Sequence, residues 1–127
     1  RGAGAARRLL FGLADRLPTW ATQAAEVAGG FSAVRGGQGY DLLGRFMTDL
    51  GGLQEGLESV GRLVPELYAG TSAAWIQKLR DVLLALKATL EAKDSVAMGD
   101  LLAYELAPHL RSGVPLLQDC AVRLPDA

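Results

Sequence analysis

The sequence predicts an all-α fold: an up-down-up-down antiparallel four-helix bundle with a long, Pro-kinked first helix. Apolar residues recur at alternating steps of three and four along two long stretches, which is the heptad spacing of packed helices. Short segments rich in Gly, Ser or Thr separate the helical stretches, and no stretch alternates as a strand does. Because such short connections join neighbours in space, successive helices are expected to lie antiparallel.

The first helix contains a proline that does not disturb its apolar pattern. Its seam, the apolar positions at steps of three and four, consists of Leu10, Leu13, Leu17, Trp20, Ala24, Val27, Phe31 and Val34. The seam keeps its phase through Pro18, so we expect one kinked helix, the alternative being a short break after Arg16. The stretch RGGQG, Arg35 to Gly39, is predicted to end this helix and form the turn.

The second helix is predicted to match the first in length. Its seam consists of Leu43, Phe46, Leu50, Leu53, Leu57, Val60, Val64 and Leu67. Asp41 is placed in the first turn, where a carboxylate favours the helix dipole. This helix contains four glycines, which are unusual in a helix interior: Gly51, Gly52, Gly56 and Gly61. They are either tolerated on an exposed face or mark the close approach of another helix.

The third helix is predicted to follow the turn YAGTS, Tyr68 to Ser72, with Thr71 or Ser72 as its N-cap. It ends near Lys93, and its seam consists of Ile76, Leu79, Leu83, Leu86 and Leu90.

The fourth helix is predicted to begin after Asp94 or Ser95, either of which can cap it. Pro108 should kink this helix before it continues to about Cys120. Residues 1–121 then form a single domain, and residues 122–127 form a frayed tail.

Composition narrows the classes of function. Apolar residues make up 50% of the 127 residues and charged residues 21%, which is typical of globular proteins, and charges interrupt every apolar run well short of a membrane span. The net charge of −1, without a basic stripe, argues against nucleic-acid binding. The single Cys120 cannot form an internal disulfide and favours the cytoplasm. The start at Arg1 rather than Met suggests a fragment.

The chain offers little for catalysis or metal binding. Its only histidine, His109, follows Glu105 by four residues, but two ligands do not complete a metal site, and no Glu-x-x-His motif is present. The stretch HLRSG differs from the motif of His-phosphotransfer domains, so His109 is expected to pack or cap within the bundle. The RGGQG stretch follows a helix rather than a strand, which argues against a phosphate-binding loop. We therefore predict no catalytic residue, cofactor or metal.

A possible interaction surface is predicted at Asp100, Tyr104, Glu105 and His109. Surplus apolar residues outside the seams are Leu9, Phe11, Leu42, Met47, Leu84 and Leu101. They give some helices a second apolar stripe, enough for both a core and an interface. The leading hypothesis is a non-enzymatic bundle that binds a protein partner as an adaptor or chaperone, or binds itself as a homo-oligomer such as a homodimer. The alternative is a small-ligand or catalytic bundle in which the same four side chains converge on an interior cavity.

The stretch LEAKDSVAMGDLLAYELAPHL, residues 90–110, resembles the C-terminal segment of small bacterial helical proteins with a kDxVxxaDLLEYELxPxL pattern. The matching residues are Asp94, Val96, Asp100, Leu101, Leu102, Tyr104, Glu105, Leu106, Pro108 and Leu110. Ala103 replaces the expected glutamate, which weakens any role for an acidic cluster. The resemblance covers about twenty residues. It implies an all-helical fold and an association with motility gene neighbourhoods, and it supplies no mechanism.

Overall fold

A computed structural model describes residues 2–32, 36–65 and 69–124, with side chains described from residue 4 and, around the first gap, up to residue 31 and from residue 39. The elements are α1 (Gly2–Ser32), α2 (Gly36–Leu63), α3 (Gly70–Glu91), α4 (Ser95–Asp100), a π-helical segment (Leu101–Leu106) and α5 (Ala107–Arg123). The last three follow one another without interruption and act as one helical arm. The described residues therefore form the predicted all-α four-helix bundle.

The first helix is the centre of the bundle. α1 packs against α2 on one side and against the α4–α5 arm on the other, and α3 packs against that arm. Neighbours run antiparallel: Leu13 near the start of α1 meets Gly56 near the end of α2, and a Cβ at Gly56 would lie 2.9 Å from Leu13 Cδ2. Of the two interpretations of the α2 glycines, close approach of a helix therefore holds at Gly56, whereas Gly51 faces open space.

The predicted seams form the core. From Leu10 to Val27 every seam residue of α1 is buried, as is every seam residue of α2 from Leu43 to Val60. Phe31 and Val64 are only partly buried, and the seam residues Val34 and Leu67 lie outside the described residues. Among the residues that the structure describes, no helix combines the length and apolar content needed to span a bilayer.

Pro18 lies inside α1, and the helix runs unbroken through it. The alternative of a break after Arg16 is wrong. Pro18 is exposed, so its ring meets solvent rather than the tightly packed core. Its missing N–H leaves the carbonyl of Ala14 without its usual helical partner.

The second helix begins earlier than predicted. α2 starts at Gly36, so the glycines assigned to the turn are helical and Asp41 lies beyond the first turn. Arg35, the first residue of the predicted turn, lies outside the described residues. Within this first part of α2 the Phe31 ring packs over Gly39, where a Cβ would lie 2.7 Å from Phe31 Cδ1. The same ring meets Tyr40 edge to face, with centroids 5.1 Å apart.

The caps of the later helices were predicted with mixed success. The N-cap of α3 is Ala69, so the choice of Thr71 or Ser72 is wrong, and the Ser72 hydroxyl instead donates to the Ala69 carbonyl at 2.9 Å. Tyr68 lies outside the described residues. For the next helix, where Asp94 or Ser95 was predicted, the N-cap is Asp94, whose carboxylate accepts from the Ala97 N–H at 3.1 Å.

Pro108 was predicted to kink the fourth helix, and the structure shows a widened, π-helical turn just before it. The Ala107 N–H bonds to the Leu102 carbonyl, five residues back, at the end of the π-helical segment. Pro108 cannot donate to the carbonyl of Tyr104, and its ring would clash with that carbonyl in a regular helix. The wider turn relieves this clash.

The C-terminal end of α5 is tied to the start of α1. The Arg7 side chain donates through Nε to the Ala121 carbonyl at 3.2 Å, and through a second nitrogen to the Leu124 carbonyl. A cation is favourable beside the unpaired carbonyls of a helix end. α5 continues to Arg123, two residues past the predicted limit of the domain, and residues 125–127 lie outside the described residues.

Candidate functional site

The histidine is held in a reciprocal pair with a tryptophan of α3. The rings of His109 and Trp75 stack with centroids 4.9 Å apart and planes 20° from parallel. His109 Nε2 lies 2.8 Å from the Trp75 carbonyl oxygen, and Trp75 Nε1 donates to the His109 carbonyl at 2.9 Å. The indole also reaches the Ser112 hydroxyl at 3.2 Å. These bonds join α3 to α5.

The hydrogen bonds define the state of the imidazole. A carbonyl oxygen only accepts, so Nε2 carries a proton in this pair. Burial lowers the pKa of His109 below its ordinary value, and the charge of Lys78 lowers it further. The bond to the Trp75 carbonyl and the charge of Glu105 raise the pKa, but burial has the largest effect. A neutral, buried ring with this partner is a packing residue, as the sequence predicts.

The stacked pair depends on a residue without a side chain. A Cβ at Gly113 would collide with Trp75 Cζ2, lie 2.7 Å from Trp75 Cε2 and lie 3.0 Å from Leu17 Cδ1. The sequence does not reveal Trp75 and Gly113 as partners, because they are far apart in the chain. The sequence features that could have pointed to this contact are a large aromatic residue on α3 and a glycine within α5.

The four predicted surface residues do not meet at one site: Asp100 and Tyr104 line an open cleft of about 320 Å³ beside α1, to which Glu105 and His109 do not contribute. Asp100, Tyr104 and Glu105 are exposed, and 73% of Tyr104 is accessible, whereas His109 is buried against Trp75. The alternative hypothesis of four side chains converging on an interior cavity is therefore wrong in its geometry. The charged and phenolic groups stay solvated, while the imidazole meets its polar partners inside the bundle. The exposed part of the predicted interaction surface comprises Asp100, Tyr104 and Glu105.

A groove lies between α2 and α3, whose backbones do not pack closely together. It has a volume of about 530 Å³, and we call it the α2–α3 groove. Its lining residues are Leu43, Met47 and Gln54 of α2, with Arg80, Leu83, Leu84, Leu86, Lys87 and Leu90 of α3. Among the described residues of this lining, Arg80 and Lys87 are the only charged ones.

The groove exposes leucines of two kinds. Leu84 is 65% exposed. Like Met47, it is one of the surplus apolar residues that lie outside the predicted seams. Leu90 was predicted as a seam position but is 42% exposed at the end of α3, where it lines the groove. The face of α3 that forms the core therefore continues into an open, mainly apolar channel.

A second cavity, of about 440 Å³, lies at the opposite end of the bundle. Leu10, Val60, Ser72 and Leu116 are among its lining residues, together with the partly buried Cys120. Within the described part of the chain, no three His, Cys, Asp or Glu residues are grouped closely enough to hold a metal ion. The mostly apolar α2–α3 groove, with its exposed leucines, is thus the better candidate for recognition of another molecule.

One family model matches most of the chain. The family model described as "Domain of unknown function (DUF8042)" matches residues 13–112. The chain belongs to the DUF8042 family. The matched DUF8042 region contains the complete lining of the α2–α3 groove and both members of the Trp75–His109 pair. Neither the curated proteins nor the solved structures provide a match to this DUF8042 chain.

Proposed function

We propose that this DUF8042 protein works by protein–protein interaction through the α2–α3 groove. The observation that carries the proposal is the pair of leucines, Leu84 and Leu90, exposed at 65% and 42% along an apolar channel. Removing apolar area from water contributes roughly 25 cal/mol per Å². A groove between two helices is also a recurrent docking site for the apolar face of a third helix.

The proposed role is non-enzymatic and takes the form of an adaptor or chaperone, or of self-association, in the cytoplasm. Two apolar surfaces on one helix support it. On α3, the buried face with Leu79 and Leu83 holds the bundle together, and the neighbouring face with Leu84 is left to solvent. A residue that is not needed for the core can be replaced without unfolding the protein, which makes the groove accessible to experiment.

The test compares two variants that add the same charge at similarly exposed apolar residues. Leu84→Asp alters the groove; Val122→Asp alters α5, which contributes no lining residue and where Val122 is 68% exposed. Tagged wild-type protein and both variants are used for affinity capture from a lysate of the source cells, with light scattering on the purified proteins. Thermal melts monitored by circular dichroism show that each variant is folded.

We expect a stoichiometric partner, or a homo-oligomer, that is lost in Leu84→Asp and kept in Val122→Asp. Equal behaviour of the two folded variants would show that the groove is not the binding site. A wild-type protein that is monomeric and retains no partner would contradict the proposed function itself.

A further inference from the structure

The length and surface of the α2–α3 groove suit a short helix. From Arg80 to Leu90 the α3 wall rises through ten residues, which is about 15 Å or nearly three helical turns. On the opposite wall, Gly51 shares a helix face with Met47 and Gln54, the lining residues four before it and three after it. Apart from the neighbouring backbone of α2, no atom of the described residues lies within 4 Å of the position of a Cβ at Gly51, so an incoming helix can approach closely there.

The seam of α3 runs out of the core and into the groove. Leu79, Leu83 and Leu86 are buried, and the next seam residue, Leu90, is exposed. Leucines at the heptad positions of an added helix would continue the same spacing against Leu90 and Leu84. The groove is therefore matched to the apolar face of an amphipathic helix.

The charges of the lining select the kind of helix. Arg80, Leu84 and Lys87 stand at steps of four and three, so cations flank the exposed leucine along one wall. Acidic side chains beside the apolar stripe of a partner would complement these cations. A second copy of this chain, docked by two-fold symmetry, would bring the same Arg80 and Lys87 to the interface and place like charges together.

We infer that the occupant of the α2–α3 groove is an amphipathic helix of another protein that carries acidic residues on either side of its apolar face. This inference rests on the proposed function and adds the chemistry of the partner. The groove supplies leucines for the apolar stripe, and Lys87 supplies the selectivity.

The experiment is a selection with a displayed library of amphipathic helices. Each peptide has about 18 residues, long enough for a measurable helix, with leucines in a fixed heptad stripe and with Glu, Gln or Lys varied at the flanking positions. The full chain is the target in four forms: wild type, Leu84→Asp, Lys87→Glu and Val122→Asp. Selected peptides are then synthesised, and their affinities are measured by fluorescence anisotropy at low and high salt.

We expect wild type and Val122→Asp to select Glu-flanked helices, with at least about tenfold preference over the Lys-flanked versions at low salt. This preference should shrink at high salt, because mobile ions screen exposed charges. With Lys87→Glu as the target, the preference for Glu-flanked helices should disappear or reverse. With Leu84→Asp as the target, no helices should be selected.

The outcomes separate the two proposals. Selection of Gln- or Lys-flanked helices that still require Leu84 would keep the groove as a binding site and overturn the acidic partner. A dimer in solution that Leu84→Asp dissociates would overturn it as well, since the occupant would be a second copy. Helices that bind wild type and Leu84→Asp equally would overturn both the partner and the groove.

Discussion

The absence of a side chain at Gly113 allows the Trp75 ring to reach α5. We predict that Gly113→Ala lowers the free energy of unfolding by about 1–3 kcal/mol, the usual cost of overpacking, despite the better helix propensity of alanine. The new methyl group would have to displace the indole that stacks on His109. Urea denaturation of the wild type and the variant measures the change.

Gly51→Ala is the matched control for this substitution. It also lies within a helix, but its Cβ would meet open space, so alanine should raise the free energy of unfolding by up to about 1 kcal/mol. Opposite signs at the two glycines would support close packing as the reason for Gly113. A gain in stability at both positions would show that α3 and α5 can separate without cost.

The Trp75–His109 pair should make stability depend on pH. Burial lowers the pKa of His109, so below about pH 6.5 the unfolded chain binds a proton that the folded chain resists. The contribution of His109 is therefore complete above that pH and is lost as the pH falls towards the lower pKa of the folded state. Lys78 disfavours the charged ring and Glu105 favours it, so both belong to this balance.

His109→Gln isolates this effect, because the amide can donate to the Trp75 carbonyl but does not titrate. Urea midpoints at about pH 7.5 and about pH 5.5 should fall more for the wild type than for the variant, since the remaining carboxylates are common to both. An equal fall in the two proteins would mean that the pKa of His109 is the same in the folded and unfolded chains.

Among the helices, the start of α4 has a cap that mutation can remove. Asp94→Ala should lower the free energy of unfolding by about 1 kcal/mol, because the Ala97 N–H loses its acceptor. Asp119→Ala is the control: its ion pair with Arg123, 3.1 Å long, lies on the exposed surface of α5 and should contribute less. Thermal melts of both variants measure the difference, and equal losses would argue against capping as the cause.

The elements show which features a single sequence reveals. The seams were predicted correctly because burial of one helix face imposes a period that can be read along the chain. Asp94 was predicted, with Ser95 as the alternative, because both side chains have an oxygen that can cap a helix. The start at Gly70 was missed because its N-cap, Ala69, provides no side-chain hydrogen bond. The start at Gly36 was missed because three glycines in five residues are typical of a turn.

Contacts between distant elements escaped prediction for a different reason. Trp75 and Gly113 are complementary only when α3 and α5 lie side by side, and the apolar period of each helix carries no information about its partner. Similarly, the exposure of Leu90 depends on the spacing between α2 and α3, which is a property of the assembled bundle. The sequence could identify surplus leucines such as Leu84, but not the groove that they line.

At the scale of the whole molecule, the helices differ in the number of neighbours that they pack against. α2 packs closely along α1 and faces α3 across the groove, whereas α1 packs against both α2 and the α4–α5 arm. We predict that backbone amides in the middle of α2, near Leu50, exchange with solvent faster than those of α1 near Leu17. Local opening costs less where an element has fewer packed neighbours, and hydrogen exchange with mass spectrometry measures the order.

A helix bound in the groove should reverse part of this difference, because it would give α2 and α3 a further packed neighbour. Exchange should slow in α2 and in the α3 segment that contains Leu84, with little change in α5 near Leu117. The Leu84→Asp variant with the same peptide provides the control and should show no slowing. Uniform protection of all helices would indicate that the peptide stabilises the fold as a whole. Protection confined to α5 would place the binding site away from the groove.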